Sequence, residues 1–126
     1  ADKSFKKDRK IVLEAVKQNG YALQHADKSF KKDKKIVLEA VKEYGPALDY
    51  ADDSFKKDKK IVLEAVKKYD YGYTLQFADE SLKKDKEFIL EVVKNNGDAF
   101  EWIDESLKKD ADILKVANEN KYKRIL

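Results

Sequence analysis

The chain has 126 residues, the size of a single domain. Charged residues make up 42% of it, but 28 Lys and Arg nearly balance 25 Asp and Glu, so the formal net charge is only +3. The absence of Cys excludes disulfides and thiolate chemistry, and the short uncharged runs predict neither a transmembrane helix nor a signal peptide. The charge balance disfavours a dedicated polyanion binder, and the regular spacing of apolar residues disfavours disorder.

An internal repeat dominates the sequence. The block Ala-Asp-Lys-Ser-Phe-Lys-Lys-Asp begins at Ala1 and again at Ala26, and related blocks begin at Ala51, Ala78 and Ile103. Successive blocks are 25, 25, 27 and 25 residues apart, so the third unit is two residues longer than the others. We therefore predict one helical-repeat domain made of units 1–25, 26–50, 51–77, 78–102 and 103–126.

Each unit is predicted to contain a long amphipathic helix that begins after an aspartate. Asp is a favoured N-cap residue because its carboxylate accepts hydrogen bonds from free backbone N–H groups. The predicted N-caps are Asp8, Asp33, Asp58, Asp85 and Asp110. In the first unit, Ile11, Val12, Leu13, Ala15 and Val16 spread over roughly 200° of the helix. Such a wide apolar arc needs neighbours on two or three sides, which stacked repeats provide.

The glycines mark the predicted end of each long helix. A Gly after an apolar helix is typical of a C′ residue in the left-handed conformation, which would let the chain reverse. The residues concerned are Gly20, Gly45, Gly72 and Gly97. The one proline, Pro46, follows Gly45, where the first residue of a second, shorter helix is expected.

The second helix and the segment after it supply further core positions. The predicted core of the second helix comprises Leu23, Leu48, Leu75, Phe100, Ala26, Ala51, Ala78 and Ile103. The residues expected to plug the space between layers are Phe5, Phe30, Phe55, Leu82 and Leu107. The predicted fold class is all-α, a right-handed solenoid of short helical hairpins with about 25 residues per repeat and about nine helices.

The unit resembles a known repeat family. The segment from Asp33 to Asp52 is similar to the bacterial and protist domain-of-unknown-function repeats with the signature D-K-x-x-V-L-x-A-V-K-x-N-G-x-A-L, and the segment from Asp8 to Ala26 fits as well. The similarity extends over essentially the whole chain. The resemblance implies an all-helical module of larger proteins and implies no reaction or catalytic residue. The long third turn, from Tyr69 to Tyr73, and the unit after Ile103 depart from the pattern.

The residues needed for catalysis or metal binding are largely absent. His25 is the sole histidine, and without Cys a His/Cys metal site is impossible. The acidic residues recur with the repeat, which spreads them along the stack instead of gathering them around a hard cation. We expect a non-enzymatic protein with no metal and no cofactor.

Paired lysines form a ladder in the short segment of each unit. The candidate anion-binding residues are Lys31, Lys32, Lys56, Lys57, Lys83 and Lys84, with further pairs at Lys6–Lys7 and Lys108–Lys109. Stacked repeats would place these pairs about 10 Å apart, which could follow phosphates. The favoured alternative is a solvated edge balanced by the neighbouring Asp27, Asp52, Asp79 and Asp104. Arg, the usual residue for reading bases, occurs only at Arg9 and Arg124, which disfavours nucleic acid.

One column of the repeat carries a different ring in every unit. Its members are His25, Tyr50, Phe77 and Trp102. The column is either a packing ridge between layers or a row of anchors for a partner helix or strand, because such rings dominate binding hot spots. Tyr44, Tyr69, Tyr71 and Tyr73 lie at predicted helix ends, where we expect them to be exposed and to extend the same surface.

Three functional hypotheses remain from the sequence. The leading one is a non-enzymatic helical-repeat module for protein interaction or structure, possibly a fragment of a longer array; we expect it to be cytoplasmic and not membrane-bound. The second is weak polyanion or nucleic-acid binding through the lysine ladder, which a steep dependence of affinity on salt would reveal. The third is an engineered consensus repeat with no natural partner, which the near-identical second and third units favour and the two-residue insertion disfavours.

The two ends of the array are predicted to differ. The last unit has the character of a polar cap, with Asp112, Lys115, Asn118 and Glu119 in its helix and Lys121, Lys123 and Arg124 after them. The first unit carries the same apolar residues as the middle units, from Ile11 to Val16, so one flank of its helix should expose apolar surface. This flank suggests truncation of a longer array or self-association through the N-terminal unit.

Overall fold

In a computed structural model of the chain, residues 8–125 are described, except for the side chains at 69, 70 and 121–125. This part of the chain is all-α and contains no strand. It has eight α-helices and five 3-10 helices, more than the nine helices expected, because each complete unit contains three helical segments instead of a two-helix hairpin. Phe5, Lys6 and Lys7, named above as candidate residues, lie outside the described residues.

A complete unit consists of a short helix, a long α-helix and a 3-10 helix. The short helices are Lys28–Lys31, Asp53–Lys56, Glu80–Lys83 and the 3-10 turn Glu105–Leu107. The long helices are Arg9–Gln18, Lys34–Glu43, Lys59–Val66, Lys86–Asn95 and Ala111–Ile125. The other 3-10 helices are Gly20–His25, Gly45–Tyr50, Tyr69–Phe77 and Gly97–Trp102. The 3-10 form suits these connections because it is used in short runs between longer elements.

The units stack in chain order as a helical solenoid. Each long helix of the described chain packs against the long helix of the next unit, and the 3-10 helices form a second row in the same order. In the second unit Ile36, Val37, Ala40 and Val41 are fully buried while Leu38 is half-buried, which confirms the wide apolar arc. The right hand of the solenoid stays a prediction.

The predicted core of the second helices is confirmed at most positions. Leu23, Leu48 and Leu75 have no exposed surface. Ala51, Ala78 and Ile103 are buried, whereas Ala26 and Phe100 are only half-buried. Among the predicted plugs Leu82 is buried, and Phe30, Phe55 and Leu107 pack partly buried against the core.

Aspartates begin both kinds of α-helix. The carboxylate of Asp33 accepts hydrogen bonds from the backbone N–H groups of Lys35 and Ile36, and Asp8, Asp58 and Asp110 accept the same two bonds in their units. Asp85 accepts from the backbone N–H of Phe88. A second series, not predicted as caps, begins the short helices: Asp52 accepts from the backbone N–H and the hydroxyl of Ser54. The short segment is therefore a separate helix with its own N-cap, which explains why the two-helix prediction was wrong.

Polar contacts repeat at every junction between units. The first residue of each long helix pairs with the N-cap Asp of the next unit, in the pairs Arg9–Asp33, Lys34–Asp58, Lys59–Asp85 and Lys86–Asp110, at 2.7, 3.5, 3.2 and 3.0 Å. Hydrogen bonding from Arg9 lowers the pKa of Asp33. Exposed pairs of this kind contribute at most about 1 kcal/mol each, so they specify register more than they stabilise the stack.

Backbone hydrogen bonds also cross the junctions. The N–H groups of Asp52, Asp79 and Asp104 donate to the carbonyls of Lys31, Lys56 and Lys83 in the preceding units, at 3.0, 2.9 and 3.3 Å. These bonds join consecutive short helices. They repeat with the units, so each junction has nearly the same geometry.

The glycines do not have the role that the sequence predicted. No residue of the described chain has a positive φ, so no glycine adopts the left-handed conformation. Gly20, Gly45 and Gly97 begin 3-10 helices, and the residue before each is extended, with φ between −141° and −152°. Pro46 is accordingly the second residue of its helix. A Cβ at Gly20 or Gly45 would collide with an alanine carbonyl oxygen of the next unit, so glycine is required by close packing between backbones.

The third unit accommodates its two extra residues in its 3-10 helix. Its long helix has only 8 residues, and the following 3-10 helix has 9 instead of 6. Tyr71 interrupts this helix with φ −110° and ψ 15°. The insertion therefore changes the shape of the 3-10 row while the long helices still pack in order.

The two ends of the described chain differ as predicted. In the last helix Ile113 is buried, and Asp112, Lys115, Asn118 and Glu119 are exposed, which gives a largely polar outer surface that also includes Leu114, 38% exposed. At the other end Ile11 is 41% exposed, whereas its equivalents Ile36 and Ile61 are fully buried. The predicted cap residues Lys121, Lys123 and Arg124 have no described side chains.

Replacing Leu48 by Ala should destabilise the protein far more than replacing Gln76 by Ala. Leu48 is fully buried and Gln76 is exposed. The first change should lower the free energy of unfolding by about 2–5 kcal/mol and the second by less than about 0.5 kcal/mol. Urea unfolding followed by circular dichroism measures both; equal midpoints would contradict the assigned core.

Replacing Gly45 by Ala should also destabilise the fold, although Ala in a helix is ordinarily favoured. The new Cβ would overlap the carbonyl oxygen of Ala65, and overpacking costs about 1–3 kcal/mol. Gly97→Ala is the matched control, because its Cβ would lie 3.2 Å from the side chain of Asn120 and 3.7 Å from the carbonyl oxygen of Ala117, which is an ordinary contact. Thermal unfolding should give a lower Tm for Gly45→Ala than for Gly97→Ala, and the reverse order would refute the close packing.

Candidate functional site

The rings of the variable column are the last residues of four 3-10 helices, which are six to nine residues long. His25, Tyr50, Phe77 and Trp102 each end one of these helices and precede an extended residue at the next position. His25 and Trp102 are exposed, and Tyr50 and Phe77 are half-buried and pack on the core. Trp102 and Tyr50 are therefore less buried than Leu48 and Leu75, which have no exposed surface. The column thus combines packing with exposed ring surface.

Tyrosines from three units form a cluster beside this column. Tyr21 contacts His25, Tyr44 and Tyr50 edge to face, with ring centroids 6.0, 6.1 and 5.7 Å apart. Tyr44 contacts Tyr71 in the same way, at 5.7 Å. Partial burial and the neighbouring Tyr21 raise the pKa of Tyr50. Edge-to-face pairs of this kind hold rings in fixed orientations.

The cluster corrects one sequence expectation and adds a residue that the sequence analysis missed. Tyr44, Tyr71 and Tyr73 were expected to be exposed at helix ends, but all three are half-buried. The rings of Tyr44 and Tyr71 pack against each other, and Tyr44 also packs against Tyr21. Tyr21, 41% exposed, was not singled out although it is the centre of the cluster. The side chain of Tyr69 is not described.

We call Tyr21, His25, Tyr44, Tyr50, Tyr71, Tyr73, Phe77 and Trp102 the aromatic edge. The four 3-10 helices that carry most of it contain no Lys or Arg, although the chain has 28 such residues. Asp49 and Glu101, next to Tyr50 and Trp102, are exposed. The 3-10 helices themselves therefore present rings and carboxylates.

The lysine pairs lie among carboxylates. The first lysine of a pair is partly buried and pairs with an acid three residues earlier: Lys56 with Asp53 at 3.3 Å and Lys83 with Glu80 at 3.2 Å. Lys31 is likewise half-buried. The second lysines, at Lys32, Lys57 and Lys84, are exposed.

The aspartates of the short-helix caps lie beside these second lysines. Hydrogen bonding from Ser54 lowers the pKa of Asp52, and the charges of Lys32 and Lys56 lower it further. The same arrangement recurs at Asp79, where the lysines are Lys57 and Lys83. The lysine row is therefore interleaved with a row of carboxylates.

A shallow groove of about 380 Å³ connects the aromatic edge with the lysine row. It is lined by Asp53, Lys56, Lys57, Phe77, Ala78, Asp79 and Glu80. Its walls carry both signs of charge around one ring. No group of three or more potential metal ligands occurs among the described residues, and no helix of the described chain is long and apolar enough to cross a membrane.

The chain belongs to a family of helical repeats of unknown function. The family model for the domain of unknown function DUF4116 matches residues 1–31, 33–83, 70–108 and 85–123, which together account for nearly the whole chain. The overlap between matches reflects the repetition of the unit. None of the curated proteins or solved structures compared with this chain is detectably similar to it.

Proposed function

We propose that this protein is a non-enzymatic interaction module that binds a protein segment along its aromatic edge. The observation that carries the proposal is the number of rings along the 3-10 row: five tyrosines, Phe77, Trp102 and His25 lie on or next to its helices, where the other columns of the repeat are nearly constant. Four of the tyrosines and His25 are in ring contact. A repeat that needed these positions only for packing would tolerate the aliphatic residues used elsewhere in its core.

Ring residues suit this role on physical grounds. Tyr and Trp bring a large contact area and a polar atom while only two side-chain torsions have to be ordered, so they are enriched among residues that dominate binding energy. At this edge the edge-to-face contacts of Tyr21 and Tyr44 already restrict the rings. A partner would therefore meet a surface that is partly ordered before binding.

The carboxylates of the 3-10 helices favour a partner with cationic side chains. These helices carry exposed Asp49 and Glu101 next to Tyr50 and Trp102 in the sequence and contain no Lys or Arg, although lysines of the short helices line the groove at Phe77. A Lys or Arg over a tyrosine or tryptophan face gains a cation–π interaction, and a nearby carboxylate steers its approach. The proposed partner is therefore a segment rich in Lys or Arg.

The carboxylates of the long- and short-helix caps support a structural role and not a catalytic one. Asp33, Asp58 and Asp85 hold helix N-termini and pair with a cation of the preceding unit. Asp52 and Asp79 accept bonds from serine within the short helices. Carboxylates committed in this way are poor candidates for acid–base chemistry.

A library of random peptides displayed on phage tests the proposal. The native chain should enrich Lys- or Arg-containing peptides, and binding should change the fluorescence of Trp102, the sole tryptophan. The variant Tyr21→Ser/Trp102→Ser removes two rings that are each 41% exposed and should weaken those peptides at least tenfold. The matched control Gln24→Ser/Gln76→Ser changes exposed residues of the same row and should bind within twofold of the native chain.

Two results would contradict the proposal. One is the absence of any enriched peptide. The other is equal binding of the enriched peptides by the native chain and the ring variant. Polyanion binding is the weaker alternative, because the exposed Lys32, Lys57 and Lys84 lie beside Asp52, Asp79 and Asp104. Polyanion binding would show an affinity for a polyanion that falls steeply as the salt concentration rises. The ring variant would bind the polyanion as tightly as the native chain.

A further inference from the structure

The outer side of the first long helix carries a copy of the residues that join the units, and within residues 8–125 these residues have no partner unit. We call Asp8, Ile11, Ala15 and Asn19 the N-terminal face. In the later units the residues at equivalent positions contact the unit before them. Each residue of the N-terminal face therefore has counterparts in later units.

Ile11 shows the apolar part of the face. It is 41% exposed, whereas Ile36, Ile61 and Ile113 are fully buried and Phe88 is 3% exposed at the same position of the unit. Ala15 is half-buried, whereas Ala40 and Ala65 have no exposed surface. The carbonyl oxygens of Ala40 and Ala65 lie against Gly20 and Gly45 of the preceding units. The carbonyl oxygen of Ala15 is therefore the atom that would lie against the glycine of a unit docked ahead of the first long helix.

Asp8 shows the electrostatic part. The equivalent aspartates Asp33, Asp58, Asp85 and Asp110 each pair with the Arg or Lys that begins the long helix of the preceding unit. Asp8 accepts the same two backbone hydrogen bonds as an N-cap, from Lys10 and Ile11, but receives no cation from the described residues. The face thus presents a carboxylate where a unit ahead would present a lysine or arginine.

Asn19 shows the hydrogen-bonding part. Asn19 and Asn96 have nearly the same backbone angles, and in each the side-chain oxygen accepts from the N–H two residues on. The side-chain NH₂ of Asn96 also donates to the carbonyls of Val66 and Lys68, at the end of the preceding long helix, at 3.0 and 2.7 Å. The NH₂ of Asn19 meets no acceptor among the described residues, so its two donors are available for the contact that Asn96 makes.

We propose that the N-terminal face is a docking site for one more unit of this repeat, held by contacts that join successive units: the ion pair seen at four junctions, the glycine contact seen at Gly20 and Gly45, and the asparagine contact seen at Asn96. The occupant presents a Lys or Arg at the first residue of its long helix to Asp8, the carbonyls at the end of that helix to Asn19, and a glycine backbone to Ala15.

The test adds such a unit to the full chain. A copy of residues 1–25 joined ahead of Ala1 places the extra unit 25 residues upstream, in the frame of the existing repeat. The extended chain should unfold at a Tm at least about 4 °C higher than the 126-residue chain, because each docked repeat adds an interface.

The substitution Asn19→Asp isolates the docking contact. Asp keeps the side-chain oxygen that caps Tyr21 but loses the NH₂ donors. The change at the original Asn19 should leave the Tm of the 126-residue chain within about 1 °C and lower that of the extended chain by at least about 4 °C. Asn96→Asp, at an occupied junction, is the positive control and should lower the Tm of both chains.

Three outcomes would overturn the proposal. The extended chain could unfold at the same Tm as the shorter one, or Asn19→Asp could affect both chains equally. In the third outcome, the Tm of the 126-residue chain rises with protein concentration, and the Tm of its Ile11→Asp variant does not. This result would assign the face to a second copy of the protein.

Discussion

The close approach of neighbouring backbones at the glycines is the constraint on which the stack depends. At Gly20 and Gly45 the 3-10 helix of one unit lies so near an alanine carbonyl of the next that no Cβ fits between them. Small residues are therefore needed on both sides, and Ala40 and Ala65 are fully buried at these points. The spacing then brings Arg9, Lys34 and Lys59 within reach of the next N-cap, so the ion pairs follow from the packing.

The same constraint leaves one row of the solenoid open to variation. The inner sides of the 3-10 helices hold Leu23, Leu48 and Leu75, which have no exposed surface. The units differ at the last residues of these helices, where His25, Tyr50, Phe77 and Trp102 replace one another. A constant interior with variable rings along one edge is the arrangement that repeat proteins use to bind extended partners, and it is the basis of the proposed interaction module.

Local features were predictable from the sequence, and contacts between units were not. The N-caps at Asp33 and Asp58 and the buried Leu48 were correct because capping and periodicity act within one unit. The role of Gly45 was predicted wrongly because a left-handed cap and a tight backbone contact both require glycine, and only the neighbouring unit distinguishes them. The cluster around Tyr21 was missed for the same reason: its rings come from different units.

Amide hydrogen exchange at the junctions tests the central claim most directly. The N–H groups of Asp52 and Asp79 lie between helices, yet each donates to a carbonyl of the preceding unit. The N–H of Lys59, at the start of a long helix, donates no hydrogen bond within the described residues and is the internal reference. The account predicts that the two aspartate amides exchange at least about 100-fold more slowly than Lys59 once intrinsic rates are corrected. Exchange of all three at the same rate would contradict the stacked arrangement.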